Sequence, residues 1–179
     1  MILETERMIL RPVVPADADD IFAYSSEPNV GPSAGWKVHE TMQETLEVMD
    51  AFFLNNSEVF GMVLKSSGRL IGTVGFREDP KRHNPVCRML GYAMSESCWG
   101  RGLMPEAAEA VVRYGFSELG LDLISAYCYP DNLRSSHVLE KTGLEYEGIL
   151  HHGELRWDGV MKDEECYYLT RQRYYDFRV

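Results

Sequence analysis

At 179 residues, with 45% hydrophobic and 26% charged side chains, the chain has the composition of a soluble globular protein and the length of one well-cored domain rather than two. Twenty-eight acidic against eighteen basic residues leave a formal charge of −10, which disfavours nucleic acid as a partner because no concentrated basic face is written in the sequence. No apolar run approaches the ~20 residues that span a bilayer, which argues against a membrane protein, and Glu4, Glu6 and Arg7 near the start do not suit a secretory leader, so a cytoplasmic location is expected. The acidity suits a cationic acceptor such as an amine or a basic peptide tail; solubility alone explains it equally well. Cys87, Cys98, Cys128 and Cys166 are scattered without a Cys-x-x-Cys pair and read as reduced thiols.

Residues 7–13 alternate like a first strand that stops near Pro12. Asp17 and Asp19 then open a short helix through Ile21, Phe22 and Tyr24, ended by Pro28. Residues 29–40, with Gly31, Pro32, Gly35 and Trp36, read as an irregular loop, Trp36 being a core anchor or a substrate wall. From 41 to 55 the spacing predicts a helix burying Met42, Leu46, Met49 and Phe53. Strands over 59–65 and 70–77 flank the hairpin signal Ser66-Ser67-Gly68-Arg69, and a polar loop over 80–85 leads to a third apolar strand over 86–94.

That strand runs into the stretch that organises the chain. Residues 92–108 begin as a strand, break at Gly100 and Gly102, and continue as a helix whose first turn holds Pro105 and Glu106. A glycine loop feeding a helix N-terminus offers unpaired N–H donors and partial positive charge, which suits phosphate; a tight turn with no ligand is the competing reading. The third glycine of a dinucleotide fingerprint is replaced by Pro105, and no Gly-x-x-x-x-Gly-Lys-Ser/Thr occurs. The helix runs over 106–119 with Gly120 as its stop, and 123–129 reads as a central strand parallel to the one before the crossover helix. A short helix over 135–141 closes at Gly143, and strands over roughly 145–156 and 160–170 meet at Trp157-Asp158-Gly159. The elements make one α+β domain over 1–179 with a mixed sheet and about four helices.

Taken together, the residues resemble the GNAT superfamily of N-acetyltransferases, in the RimJ/RimL-like branch that includes ribosomal-protein N-terminal acetyltransferases. The motifs that carry the resemblance are residues 4–12, the run from Gly91-Tyr92 through Trp99-Gly100-Arg101-Gly102 to Glu106-Ala107, Asn132-Leu133-Arg134-Ser135 with residues 138–144, and Tyr146-Glu147-Gly148 before a hairpin ending in Tyr168-Leu169. They span nearly the whole chain in the family's order. The resemblance implies a mostly antiparallel sheet splayed at its central parallel pair, acetyl-CoA as co-substrate, and acetyl transfer to a primary amine, either a protein N-terminus or a small molecule. A second copy of the chain is a candidate partner for the C-terminal cluster Tyr174-Tyr175-Asp176-Phe177, which otherwise packs on the core.

The resemblance also assigns roles. The pyrophosphate would lie on the N–H groups of Gly100, Arg101, Gly102, Leu103 and Met104, and the pantetheine arm would pair with backbone at Ala93 and Met94. Asn132 matches the family's cofactor-contacting asparagine, with an Asx-turn or helix cap as its structural alternative. Arg101 and Arg134 lie near the cofactor phosphates or are solvated surface side chains. Ser97 stands where the family often has Gln or Arg, and Leu139 where many members have a proton-donating tyrosine. The branch instead implies Ser135 as acid, although a helix-start hydroxyl explains that residue as well. Glu154 matches the branch's proposed base; Glu147, or no side-chain base, is the alternative. By strand alternation Leu150, His152 and Glu154 share one face, which sets His151 and His152 on opposite sides and argues against a metal site. A second function class remains beside the enzyme: a catalytically silent acyl-CoA-binding module, to which Leu139 lends weight.

Overall fold

The computed structural model describes residues 1–176. Its strands are β1 (Leu3–Glu4), β2 (Met8–Pro12), β3 (Val59–Leu64), β4 (Leu70–Arg77), β5 (Cys87–Met94), β6 (Leu123–Cys128), β7 (Glu145–Leu155) and β8 (Met161–Thr170). They form one sheet in the order β1-β2-β3-β4-β5-β6-β8-β7. Its helices are α1 (Ala18–Ser25), α2 (Val30–Ser33), α3 (Met42–Phe52), α4 (Leu103–Ser117), α5 (Leu133–Lys141) and α6 (Arg171–Asp176).

Six helices among the described residues replace the four expected. The extra two are short: α2 is four residues inside the segment read as loop, and α6 follows β8 directly. Each is shorter than two helical turns and shows no repeating period, so tertiary packing decides them. Tyr174 of α6, for instance, is buried with its ring 4.8 Å from that of Phe116. Phe177, the last member of the C-terminal aromatic cluster, lies outside the described residues.

The chain divides into two compact units, one of Met1–Gly75 with Tyr92–Ala110, the other of Phe76–Gly91 with the chain from Val111 on. In the first, β1, β2 and β3 pair in antiparallel succession and β3 pairs β4. Its core gathers Val13, Ile21, Tyr24, Val30, Met49, Val63 and Leu70, with Trp36 packed against them as an anchor. Helix α3 starts where a Thr41–Glu44 capping box satisfies its first N–H groups. Its buried face differs from the expected one: Thr45 and Met49 are fully buried, whereas Leu46 is 42% exposed. A threonine is admitted because its hydroxyl is bonded to His39 Nδ1 at 2.8 Å, which removes the cost of burying it.

In the second unit, β5 pairs in parallel with β6 through Cys87–Leu123, Arg88–Ile124 and Met89–Ser125, while β6, β8 and β7 are antiparallel neighbours. Its core includes Phe76, Leu90, Val111, Val112, Phe116, Ile124, Leu139 and Leu169. Leu139 is 1% exposed, a packing residue of this core.

Candidate active site

The glycine loop lies in the first unit. Gly100 and Gly102 both sit at φ 72, in the left-handed region where a β-carbon is strained, and a β-carbon added at Gly100 would meet nothing within 4 Å. The loop therefore needs glycine for its backbone and leaves open space beside it, which fits a phosphate group. Residues 100–102 are exposed, whereas the side chains of Leu103 and Met104 are buried, so only the main chain of the latter two can meet a ligand. Since α4 begins at Leu103, the N–H groups of Leu103 and Met104 belong to its first turn, where no intrahelical acceptor exists.

The end of β5 is in the same unit. The indole N–H of Trp99 donates to the Met94 carbonyl at 2.8 Å and fixes that peptide. Strand β4 approaches closely: a β-carbon on Gly72 would lie 2.4 Å from the Ala93 carbonyl oxygen and 2.8 Å from Met94 Cα. Glycine at 72 is what allows that approach.

The remaining assigned residues lie in the second unit. Asn132 caps α5, its side-chain oxygen accepting the Ser135 N–H at 3.2 Å. Arg134 is exposed and Ser135 half-buried in the first turn of that helix. Glu154 on β7 is half-buried and accepts the Tyr129 hydroxyl at 2.6 Å. Burial first, and then this bond to a carboxylate, push the Tyr129 phenol well above its ordinary pKa, so it stays a donor. Lys162, the cross-strand neighbour of Glu154, places its ammonium 5.1 Å from the Tyr129 ring centre and 3.1 Å from Asp131. Glu147, the alternative base, is a surface residue ion-paired with Arg82.

Strict alternation along β7 fails. Pairing passes from Leu150–Glu164 to Glu154–Lys162, so four steps on β7 answer two on β8, and His152 within them sits at φ 53. Asp163 holds the extra residues, accepting the His152 main-chain N–H at 2.8 Å and bonding His151 Nδ1 at 2.9 Å. His152 is thus removed from the alternating face on which the sequence placed it. Because the insertion is even, Leu150 and Glu154 still pair with residues two apart on β8.

Sequence reasoning named neither Tyr129 nor Asp79. Asp79 is buried and accepts hydrogen bonds from the hydroxyls of Ser125 and Tyr127, anchoring the loop after β4 to β6. The available signal was period two: Ser125, Tyr127 and Tyr129 alternate and so share one face.

A mostly antiparallel sheet with one parallel strand pair, β5 with β6, is the fold of an acetyltransferase of the GNAT type. The chain belongs to the GNAT family: its residues 7–145 match the model described as an acetyltransferase (GNAT) domain. Members transfer an acetyl group from acetyl-CoA to an amine, and this chain is accordingly an N-acetyltransferase. It is 32% identical over 176 residues to the Bacillus subtilis protein named uncharacterized N-acetyltransferase YoaA, covering 96% of this chain and 98% of that one. It is 29% identical to the Escherichia coli ribosomal protein uS5-alanine N-acetyltransferase, with 94% and 90% covered. Among solved structures, a GNAT-family acetyltransferase from Bacillus anthracis aligns with TM-score 0.84 at 26% identity, covering 96% of this chain and 99% of that one. No helix among the described residues is long and apolar enough to cross a membrane.

Proposed function

We propose that the protein acetylates a primary amine, with a protein N-terminus as the favoured acceptor, by direct attack in a ternary complex. The observation that carries the reading is the half-buried Glu154 carboxylate held by a phenol that remains a donor. Bound acetyl-CoA supplies the activated acyl carbonyl. Glu154 removes a proton from the acceptor ammonium, directly or through water, because an ammonium has no lone pair with which to attack. A main-chain N–H at the end of β5, at Ala93 or Met94, donates to the carbonyl oxygen as it gains charge, and the N–H groups of Gly100 to Met104 hold the diphosphate, with Asn132, Arg101 and Arg134 as further contacts. Leu139 is in the core and has no proton to give; the family resemblance points to Ser135, or water, to protonate the departing sulfur.

Two observations support direct transfer and the acceptor class. Burial pushes the thiols of Cys87, Cys128 and Cys166 up, that of Cys128 to about 12, which leaves them protonated and poor nucleophiles. Similarity along 94% of the chain to an enzyme named for a ribosomal-protein alanine favours an N-terminal amine over other acceptors.

The test is thiol release from acetyl-CoA with a panel of small amines and of peptides beginning with Ala or Ser, for wild type and Glu154→Gln. The expected result is loss of about 10²–10⁴-fold in kcat with coenzyme A binding retained. Full turnover by Glu154→Gln removes Glu154 as the base. A wild type that binds acetyl-CoA yet acetylates no amine supports the silent binding module instead.

A further inference from the structure

Arg7 belongs to the N-terminal run of residues 4–12, which the chemistry above does not use. Its side chain makes three directed contacts in the first unit. Nη1 donates to the Arg101 carbonyl at 2.8 Å, Nη2 donates to the Gly102 carbonyl at 3.0 Å, and Nε donates to Glu106 at 2.6 Å. The main-chain N–H of Arg7 takes the other Glu106 oxygen at 2.8 Å. One planar guanidinium thus spans two successive loop carbonyls and a carboxylate in the first turn of α4.

We propose that Arg7 is the positioning residue of the cofactor loop, aiming its amides at the diphosphate; the inference rests on the reading that these amides bind it. Peptide planarity supplies the argument. The Arg101 carbonyl shares a plane with the Gly102 N–H, and the Gly102 carbonyl with the Leu103 N–H. Every described peptide is trans, so each N–H points opposite to its carbonyl. Drawing both carbonyls onto one guanidinium therefore turns two consecutive N–H groups to the other side of the loop. The Gly102 carbonyl also accepts the Glu106 N–H, at 3.4 Å. Without the guanidinium it is therefore chiefly the Arg101–Gly102 plane, flanked by two glycines at positive φ, that turns more freely, and binding would bear the cost of ordering it.

Arg7 has a second effect through Glu106. Burial alone would raise the carboxyl pKa of Glu106, but the Thr5 hydroxyl and the Arg7 main chain and guanidinium outweigh it and hold the group ionised. An ionised carboxylate near a diphosphate repels it, and the paired guanidinium cancels that charge.

Arg7→Met removes both effects, Arg7→Lys keeps the charge but cannot span two carbonyls and a carboxylate, and Glu106→Gln keeps the carbonyl contacts. Coenzyme A affinity by calorimetry is expected to fall about tenfold or more in Arg7→Met and at least severalfold in Arg7→Lys, while Glu106→Gln stays within about threefold of wild type. KM for acetyl-CoA should rise in parallel with kcat at saturation nearly unchanged, a split that general destabilisation does not produce. In ligand-free protein, hydrogen exchange at the Gly102 and Leu103 amides should accelerate in both Arg7 variants. Wild-type loop amides that give no NMR response to coenzyme A would overturn the diphosphate reading beneath the proposal. Loop amides that respond in wild type, with Arg7→Met and Arg7→Lys matching wild type in affinity and exchange, overturn the proposal itself. Arg7 is 43% exposed in its side chain, so the variants should fold, which thermal unfolding checks.

Discussion

Replacing Tyr129 with phenylalanine deletes one hydroxyl and little else. The ring stays, and with it the Lys162 ammonium 5.1 Å from its centre, so packing around β6 is preserved. What is lost is the hydrogen bond to Glu154 at 2.6 Å. A bond from a neutral donor to a carboxylate contributes about 1.5–3 kcal/mol when buried. Glu154 is only half-buried, and solvent screening brings the contribution to the lower end, about 1.5 kcal/mol. If that bond holds the carboxylate in the orientation from which it accepts a proton, its loss lowers kcat roughly tenfold. The assay is acetyl-CoA thiol release with a peptide acceptor, comparing kcat and KM for wild type, Tyr129→Phe, Glu154→Gln and the double variant. On the Glu154→Gln background, Tyr129→Phe should change kcat by less than about twofold, because a residue acting through another has no effect once that other is gone. A second tenfold loss in the double variant would show that Tyr129 acts independently of Glu154, and an unchanged kcat in Tyr129→Phe alone would refute the positioning argument.

Three further outcomes follow from the same geometry. Gly72→Ala should weaken acetyl-CoA binding and lower stability by about 1–3 kcal/mol, since its β-carbon collides with main chain at Ala93 and Met94 rather than with a movable side chain; calorimetry with coenzyme A and urea unfolding read both. Asp17→Asn should destabilise by about 2 kcal/mol in urea unfolding, because the Asp17 side chain, 7% exposed, accepts a two-pronged pair from Arg11 at 2.7 and 2.8 Å and the Val14 N–H at 2.8 Å. Burial lowers the His39 pKa below its ordinary 6.5, with Glu44 opposing more weakly. The unfolded chain therefore binds the proton first, and stability should fall as pH drops below about 6.5, by at most about 1.4 kcal/mol per pH unit, and level off below the folded-state value. Thermal unfolding of wild type against His39→Gln isolates that slope.

The legible parts of this chain are those where one local rule governs. Apolar runs and turn chemistry locate β3, β4 and the hairpin at Asp158-Gly159, and a glycine pair before Pro105 and Glu106 marks the loop and its helix. The illegible parts are those where distant residues settle a local question. Helix α3 buries Thr45 rather than Leu46 because His39, six residues back, supplies the hydroxyl's partner. Strand β7 departs from period two because Asp163, across the hairpin, stabilises two inserted residues. The site follows the same division. Backbone sites are written in glycine and proline, whose conformational limits act at their own position. Side-chain partnerships such as Tyr129 with Glu154, 25 residues apart, and Arg7 with Glu106, 99 apart, depend on register between elements, which hydrophobic pattern does not encode. Arg7 shows the consequence for function: a residue that sequence assigns only to a motif carries its effect through carbonyls, so changing the side chains of Arg101 and Glu106 leaves the two carbonyl contacts of Arg7 in place, while changing Arg7 removes them.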